Sequence, residues 1–99
     1  MTTYLVSRHA GAVEWMNFMG HHYDYHLHHL SDYKKLEIGD VVIGSLPINI
    51  VAELNKRGIA YFHLSIDIPE SLRGVELSAH LLSFLDARLE RYEVIQTAY

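Results

Sequence analysis

The sequence predicts a minimal Rossmann-like α/β domain, a three-layer fold on a short, mainly parallel sheet in the order β-α-β-β-α-β-α. Three observations lead there. Apolar runs of strand length alternate with segments of helical period. One of those runs, Val41 to Ser45, is uniformly apolar, as a strand covered on both faces must be. A chain of 99 residues has enough material for one hydrophobic core and none for a second, so residues 1–99 are read as one domain.

The elements follow in order. Tyr4 to Ser7 is the first strand. Ala12, Trp15, Met16 and Met19 then fall at i, i+3, i+4 and i+7, one apolar helical stripe, and Gly20 supplies the stop. Tyr25 to His29 reads as a second strand and Val41 to Ser45 as a third. Pro47 stands where a first helical turn begins; Ile50, Val51 and Leu54 form one face, and Gly58 marks the end. Ala60 to Ile66 is the fourth strand. Leu77, Leu81, Phe84, Leu85, Leu89 and Tyr92 share one stripe, which predicts a final helix longer than the others.

Composition narrows the function. Hydrophobic residues make up 49% and charged residues 20%, the balance of a folded globular chain. No segment approaches the roughly 20 apolar residues that span a bilayer, and Met1-Thr2-Thr3 opens no basic and apolar leader. The expectation is a cytoplasmic protein with an intact start and no membrane partner. The chain contains no cysteine, which leaves His, Ser, Tyr and carboxylates to do chemistry. Eight Lys and Arg against twelve Asp and Glu give a net charge of -4, so no duplex nucleic acid is expected as a partner. A phosphate ligand needs a local, shaped site.

In open parallel sheets ligands bind beyond the carboxyl ends of the strands, where loops lead into helix N-termini. Three loops qualify. Ser7-Arg8-His9-Ala10-Gly11 places a hydroxyl, a guanidinium, an imidazole and a glycine ahead of a helix, the outline of a phosphate site. The same residues also fit a structural role, with Ser7 and His9 capping the helix and Arg8 paired with a carboxylate such as Glu14. In Gly44-Ser45-Leu46-Pro47-Ile48-Asn49, Ser45 is either an N-cap or, with Asn49, a ligand for ribose or phosphate. Ser65-Ile66-Asp67-Ile68-Pro69, with Arg73 beyond, offers Ser65 and Arg73 to a ligand, while Asp67 reads as a turn residue.

The run His21-His22-Tyr23-Asp24-Tyr25-His26-Leu27-His28-His29 invites a metal hypothesis, because His26 and His28 share a face in a strand and His22 or Asp24 would complete a set. No carboxylate stands at the offset of a recognised metal motif, and the alternation with Tyr25 and Leu27 suits an edge strand. The run is read as an edge strand, with no metal and no cofactor assigned. His63 and His80 are assigned to packing or solvent.

Tyr4-Leu5-Val6-Ser7-Arg8-His9-Ala10-Gly11-Ala12-Val13-Glu14-Trp15, then Gly39-Asp40-Val41-Val42-Ile43-Gly44-Ser45-Leu46-Pro47, then His63 to Pro69 with Arg73-Gly74-Val75-Glu76-Leu77-Ser78, resemble one small family of Csx accessory proteins of type III CRISPR systems. The resemblance spans nearly the whole chain, except that the histidine run between the first two blocks has no counterpart. It implies a fold similar to the CARF-like, ligand-sensing domains of those systems, a homodimer, and ring-nuclease activity that cuts cyclic tetra-adenylate and switches off antiviral signalling. The catalytic candidates are His9, Arg8 and Ser7, and the ligand-binding candidates are Gly11, Ser45, Leu46, Pro47, Asn49, Ser65 and Arg73. A non-catalytic sensor or sponge for the same ligand is the alternative. A histidine-phosphatase-like enzyme shares the strand-Arg8-His9 opening, but Ala10 stands where that motif has glycine, and the chain is short for the rest of such a site. A pure interaction protein would leave all three loops as helix caps.

Overall fold

The computed structural model describes residues 1–31 and 35–99. The chain runs β1 (Thr3–Val6), α1 (Ala10–Phe18), β2 (Tyr25–Leu27), β3 (Val41–Gly44), α2 (Ile48–Lys56), β4 (Ala60–Ser65), a 3-10 turn (Glu70–Leu72), α3 (Ala79–Phe84) and β5 (Arg88–Tyr92). The five strands form one sheet in the order β2-β1-β3-β4-β5. β1 pairs in parallel with β2 and β3, and β3 in parallel with β4. The predicted mainly parallel α/β architecture is therefore the one observed.

Helices cover both faces. On one, Trp15 and Met16 of α1 and Leu82 of α3 pack against Leu5 and Ile43 of the sheet. On the other, Val51 and Leu54 of α2 pack against Val6, Val42 and Tyr61, with Leu36 filling in from the connection between β2 and β3. Val42 and Ile43 are both buried, so the uniformly apolar third run is a central strand between two cores. Each large apolar side chain removed from water in these clusters contributes about 1.5–3 kcal/mol.

The long final helix is corrected. α3 spans only Ala79–Phe84, and Asp86 turns the chain with φ 58. The chain then enters β5, which pairs antiparallel with β4 from Ser65↔Arg88 to Tyr61↔Tyr92. Phe84 and Tyr92, assigned to one apolar stripe, are 82% and 47% exposed. The reason is tertiary: without β5 the backbone groups along β4 would form an open sheet edge, and pairing them outweighs a helical spacing that Leu85 and Leu89 satisfy in either conformation.

Two glycines mark where backbones touch. A Cβ on Gly11 would overlap the carbonyl oxygen of Leu77, so the start of α1 lies directly against the approach to α3. A Cβ on Gly44 would sit 2.6 Å from the Val6 carbonyl oxygen, so the ends of β1 and β3 are also in close contact.

Candidate functional site

With β2 on one side of β1 and β3 on the other, successive connections leave the carboxyl ends of β1 and β3 in opposite directions, which makes this point the topological switch of the sheet. The first loop opens from β1. Ser7 N–H donates to the Leu27 carbonyl at 2.9 Å. The Ser7 hydroxyl accepts from His9 N–H at 3.1 Å. Neither Ser7 nor His9 caps α1 through its side chain; His9 occupies the cap position, and its carbonyl accepts from Ala12 and Val13. Arg8 is exposed and makes no ion pair among the described residues, with Glu14 or any other acid. The structural alternative for this loop, caps plus an Arg8–Glu14 pair, is absent.

His9 Nδ1 lies 3.4 Å from Glu76 Oε2, with the two side chains 71% and 66% exposed. A carboxylate can only accept, so Nδ1 carries the proton in this contact, and in the neutral ring Nε2 keeps its lone pair. Glu76 thus presents His9 in the tautomer that a proton acceptor requires.

The second loop is held from the core. The Tyr61 hydroxyl donates to the Gly44 carbonyl at 3.0 Å or shares its proton with His63 Nδ1 at 2.7 Å, and it accepts from Leu46 N–H at 2.9 Å. Burial pushes the Tyr61 hydroxyl above its ordinary pKa and keeps it a donor. His63 therefore has a specific partner as well as a packing role. Ser45 is no cap: α2 starts at Ile48 behind Pro47, and the Ser45 hydroxyl donates to the Leu64 carbonyl at 3.4 Å. Pro47 and Asn49 are exposed, and Leu46 is half-buried.

At the third loop, a hydrogen bond from Ser65 holds the Glu90 carboxyl below its ordinary range. Asp67 lies 3.4 Å from Arg88 Nη1, and its N–H donates to the Leu85 carbonyl, in keeping with a turn residue. Arg73 is exposed at the end of the 3-10 turn.

Of the predicted site residues, Arg8 and His9 line a cleft of about 290 Å³ together with Ala10, Val13, Glu14, His26 and His28. Gly11 is buried against Leu77 beside this cleft, whereas Ser45, Leu46, Pro47, Asn49, Ser65 and Arg73 do not line it. A second cleft of about 300 Å³ lies between α2 and the segment after β5, at the opposite end of the strands. It lacks a histidine and an arginine.

Two contributions to the site depend on contacts distant in sequence. Glu76 is a lone carboxylate in a loop, with no local pattern to mark it. His26 and His28 showed the i, i+2 spacing of a shared face, and the missing information was that their strand would pair beside β1. His26 Nε2 donates to the Ser7 carbonyl at 2.8 Å, and the His26 and His28 rings lie 5.2 Å apart. His22 is paired instead with Asp24, at 3.1 Å. Among the described residues no group of three His, Cys, Asp or Glu side chains is arranged to hold a metal ion.

Residues 4–95 match the family described as "Putative CRISPR-associated protein (Cas_VVA1548)". The chain belongs to this CRISPR-associated family. The match takes in every strand from Tyr4 on and all three loops of the carboxyl edge, as the Csx resemblance implied for a small accessory protein. No curated protein and no solved structure matches the chain. No helix among the described residues is long and apolar enough to cross a membrane.

Proposed function

We propose that this CRISPR-associated protein binds cyclic oligoadenylate at the switch point of its sheet and cleaves it, with cyclic tetra-adenylate as the ligand. One observation carries the reading. A single loop at the switch point presents a guanidinium, Arg8, that makes no ion pair among the described residues, next to an imidazole, His9, oriented by Glu76. Membership of a CRISPR-associated family supports a setting in CRISPR systems for such a ligand.

The proposed reaction needs no cofactor. The ribose 2′-oxygen attacks the adjacent phosphorus and the bond to the 5′-oxygen breaks, leaving a 2′,3′-cyclic phosphate and a 5′-hydroxyl. The substrate supplies the nucleophile, so the protein aligns it, stabilises the charge on the phosphorane and moves two protons. His9 Nε2 takes the 2′-proton or returns one to the 5′-oxygen. Arg8 and the first amides of α1 face the developing negative charge, and Ser7 holds the loop backbone by its bond to His9 N–H. An isologous homodimer would present this loop twice around a two-fold axis, which suits a ring of repeated phosphates and supplies two Arg8 side chains despite a net charge of -4 per chain.

The test is to incubate the protein with cyclic tri-, tetra- and hexa-adenylate in EDTA and separate the products. Linear products ending in 2′,3′-cyclic phosphate are the expected result. Intact ligand co-eluting with the protein would identify a sensor or sponge. Free, intact ligand with all three rings would end the proposal.

A further inference from the structure

The outer wall of the Arg8–His9 cleft comes from another part of the chain. Parallel pairing sets His26 beside Leu5, and Leu5 belongs to the face that α1 covers. Strand alternation therefore brings His26 and His28 to the α1 side, while Tyr25 stacks on Tyr4 across the opposite face with ring centroids 5.7 Å apart. β2 is the edge strand, so these imidazoles stay wet and reach the loop rather than the core.

Their hydrogen bonding is unequal. His26 Nε2 donates to the Ser7 carbonyl, which fixes the proton on that nitrogen and leaves Nδ1 to accept a second one. His28 has no hydrogen-bond partner among the described residues, and its ring is tilted 34° against that of His26. Among the described residues no third ligating side chain joins the pair, and donation to an anion suits it better than holding a metal.

We infer that His26 and His28 complete, with Arg8 and His9, a pocket for one phosphate group of the ligand, and that this pocket tightens as the imidazoles protonate. Four side chains able to donate N–H bonds line one cleft of about 290 Å³. Two protonated imidazoles about 5 Å apart repel each other, and an anion bound between them relieves that repulsion. The opposing charges are Glu14 on the cleft wall and Glu76 on His9. With neutral imidazoles these two carboxylates outnumber the single cation, Arg8; with His9, His26 and His28 protonated the cations prevail. The identity of the ligand as cyclic tetra-adenylate rests on the proposed function, whereas the anion chemistry of the pocket does not.

The experiment follows the ring nitrogens of the full chain by NMR while sulfate is added, a probe whose charge is constant between about pH 6 and about pH 8, the range in which imidazole titrates. Sulfate is expected to shift both the His26 and His28 rings saturably, with affinity on the order of tenfold higher at the lower pH. His28→Ala removes no hydrogen bond to the protein, and it is expected to lower the affinities for sulfate and for cyclic tetra-adenylate on the order of tenfold. His26→Gln keeps a donor toward the Ser7 carbonyl and serves as the control for loop geometry. Rings that do not respond to sulfate at the lower pH would overturn the pocket, as would unchanged affinity for both ligands in His28→Ala. Sulfate shifts at both rings without cyclic tetra-adenylate binding would leave the pocket standing and remove the ligand assignment. Normal cleavage in His28→Ala, with affinity unchanged for both sulfate and cyclic tetra-adenylate, would remove the pocket and leave the proposed function intact.

Discussion

The two loops flanking the switch point are built in opposite ways. The loop after β3 is tied from inside, because Tyr61 is only 2% exposed and its hydroxyl contacts Gly44, Leu46 and His63. The loop after β1 is tied from outside, through His26 on an edge strand and through Glu76, 66% exposed, on a surface loop. A buried network excludes water and holds one geometry. An exposed one keeps its donors available, and Arg8 and His9 stand on that side.

The sharpest way to break this comparison is at His9. His9→Ala is expected to lower cyclic tetra-adenylate cleavage by about 10²–10⁴-fold, the usual worth of general acid–base help, with little change in thermal stability, because its side chain is 71% exposed. Single-turnover rates and a melting curve check both halves of that statement. A full rate would take His9 out of the mechanism and leave catalysis to positioning.

Gly11→Ala comes next and acts on the anchor of the open loop. Its new methyl group meets the Leu77 carbonyl, so α1 and the approach to α3 must separate, at a cost of about 3 kcal/mol read from urea unfolding. A neutral result would mean that the contact relaxes freely and that the open loop is not anchored at Gly11.

Tyr61→Phe probes the closed loop. It leaves Leu46 N–H and the Gly44 carbonyl without their buried partner, an expected loss of about 1–3 kcal/mol in unfolding free energy. Hydrogen exchange should rise at Leu46 and not at His9. Equal rises at both would erase the distinction between the loops.

The smallest effect is on pH dependence. The Ser65 hydrogen bond lowers the folded-state pKa of Glu90 below the ordinary 4.5. Stability from this group is therefore complete above that ordinary value and is lost as the pH falls through the lower folded one. Glu90→Gln should remove a small part of the acid destabilisation between about pH 5 and about pH 3, measured as the shift in urea midpoint. Identical acid profiles for the two proteins would show that Ser65 is not engaged by Glu90 in solution and remains available to a ligand.

Much of this architecture is legible along the chain, and particular residues show why. Trp15, Met16, Val51 and Leu54 repeat with the helical period because each must leave water on one side of a helix, and all four are buried. Val42 and Ile43 are adjacent and apolar because the strand they form has a helix layer on each face. Ser7, Arg8 and His9 could be singled out because the end of a strand and the start of a helix are local events. The end of the chain shows the converse. Leu81, Leu85 and Leu89 satisfy a helical stripe, and only the unpaired side of β4 made a strand of Arg88–Tyr92 preferable.

What the sequence determined by itself is the set of periods, the stops and the chemistry of each loop, since these depend on neighbours within a turn or two. The tertiary structure alone decided which strands lie side by side. That decision brought His26 and His28 next to Arg8, and Glu76 next to His9, from segments that share no local signal. The physical reason is that sheet order is settled by long-range pairing and by burial on two faces, and neither quantity is a property of any short stretch of chain.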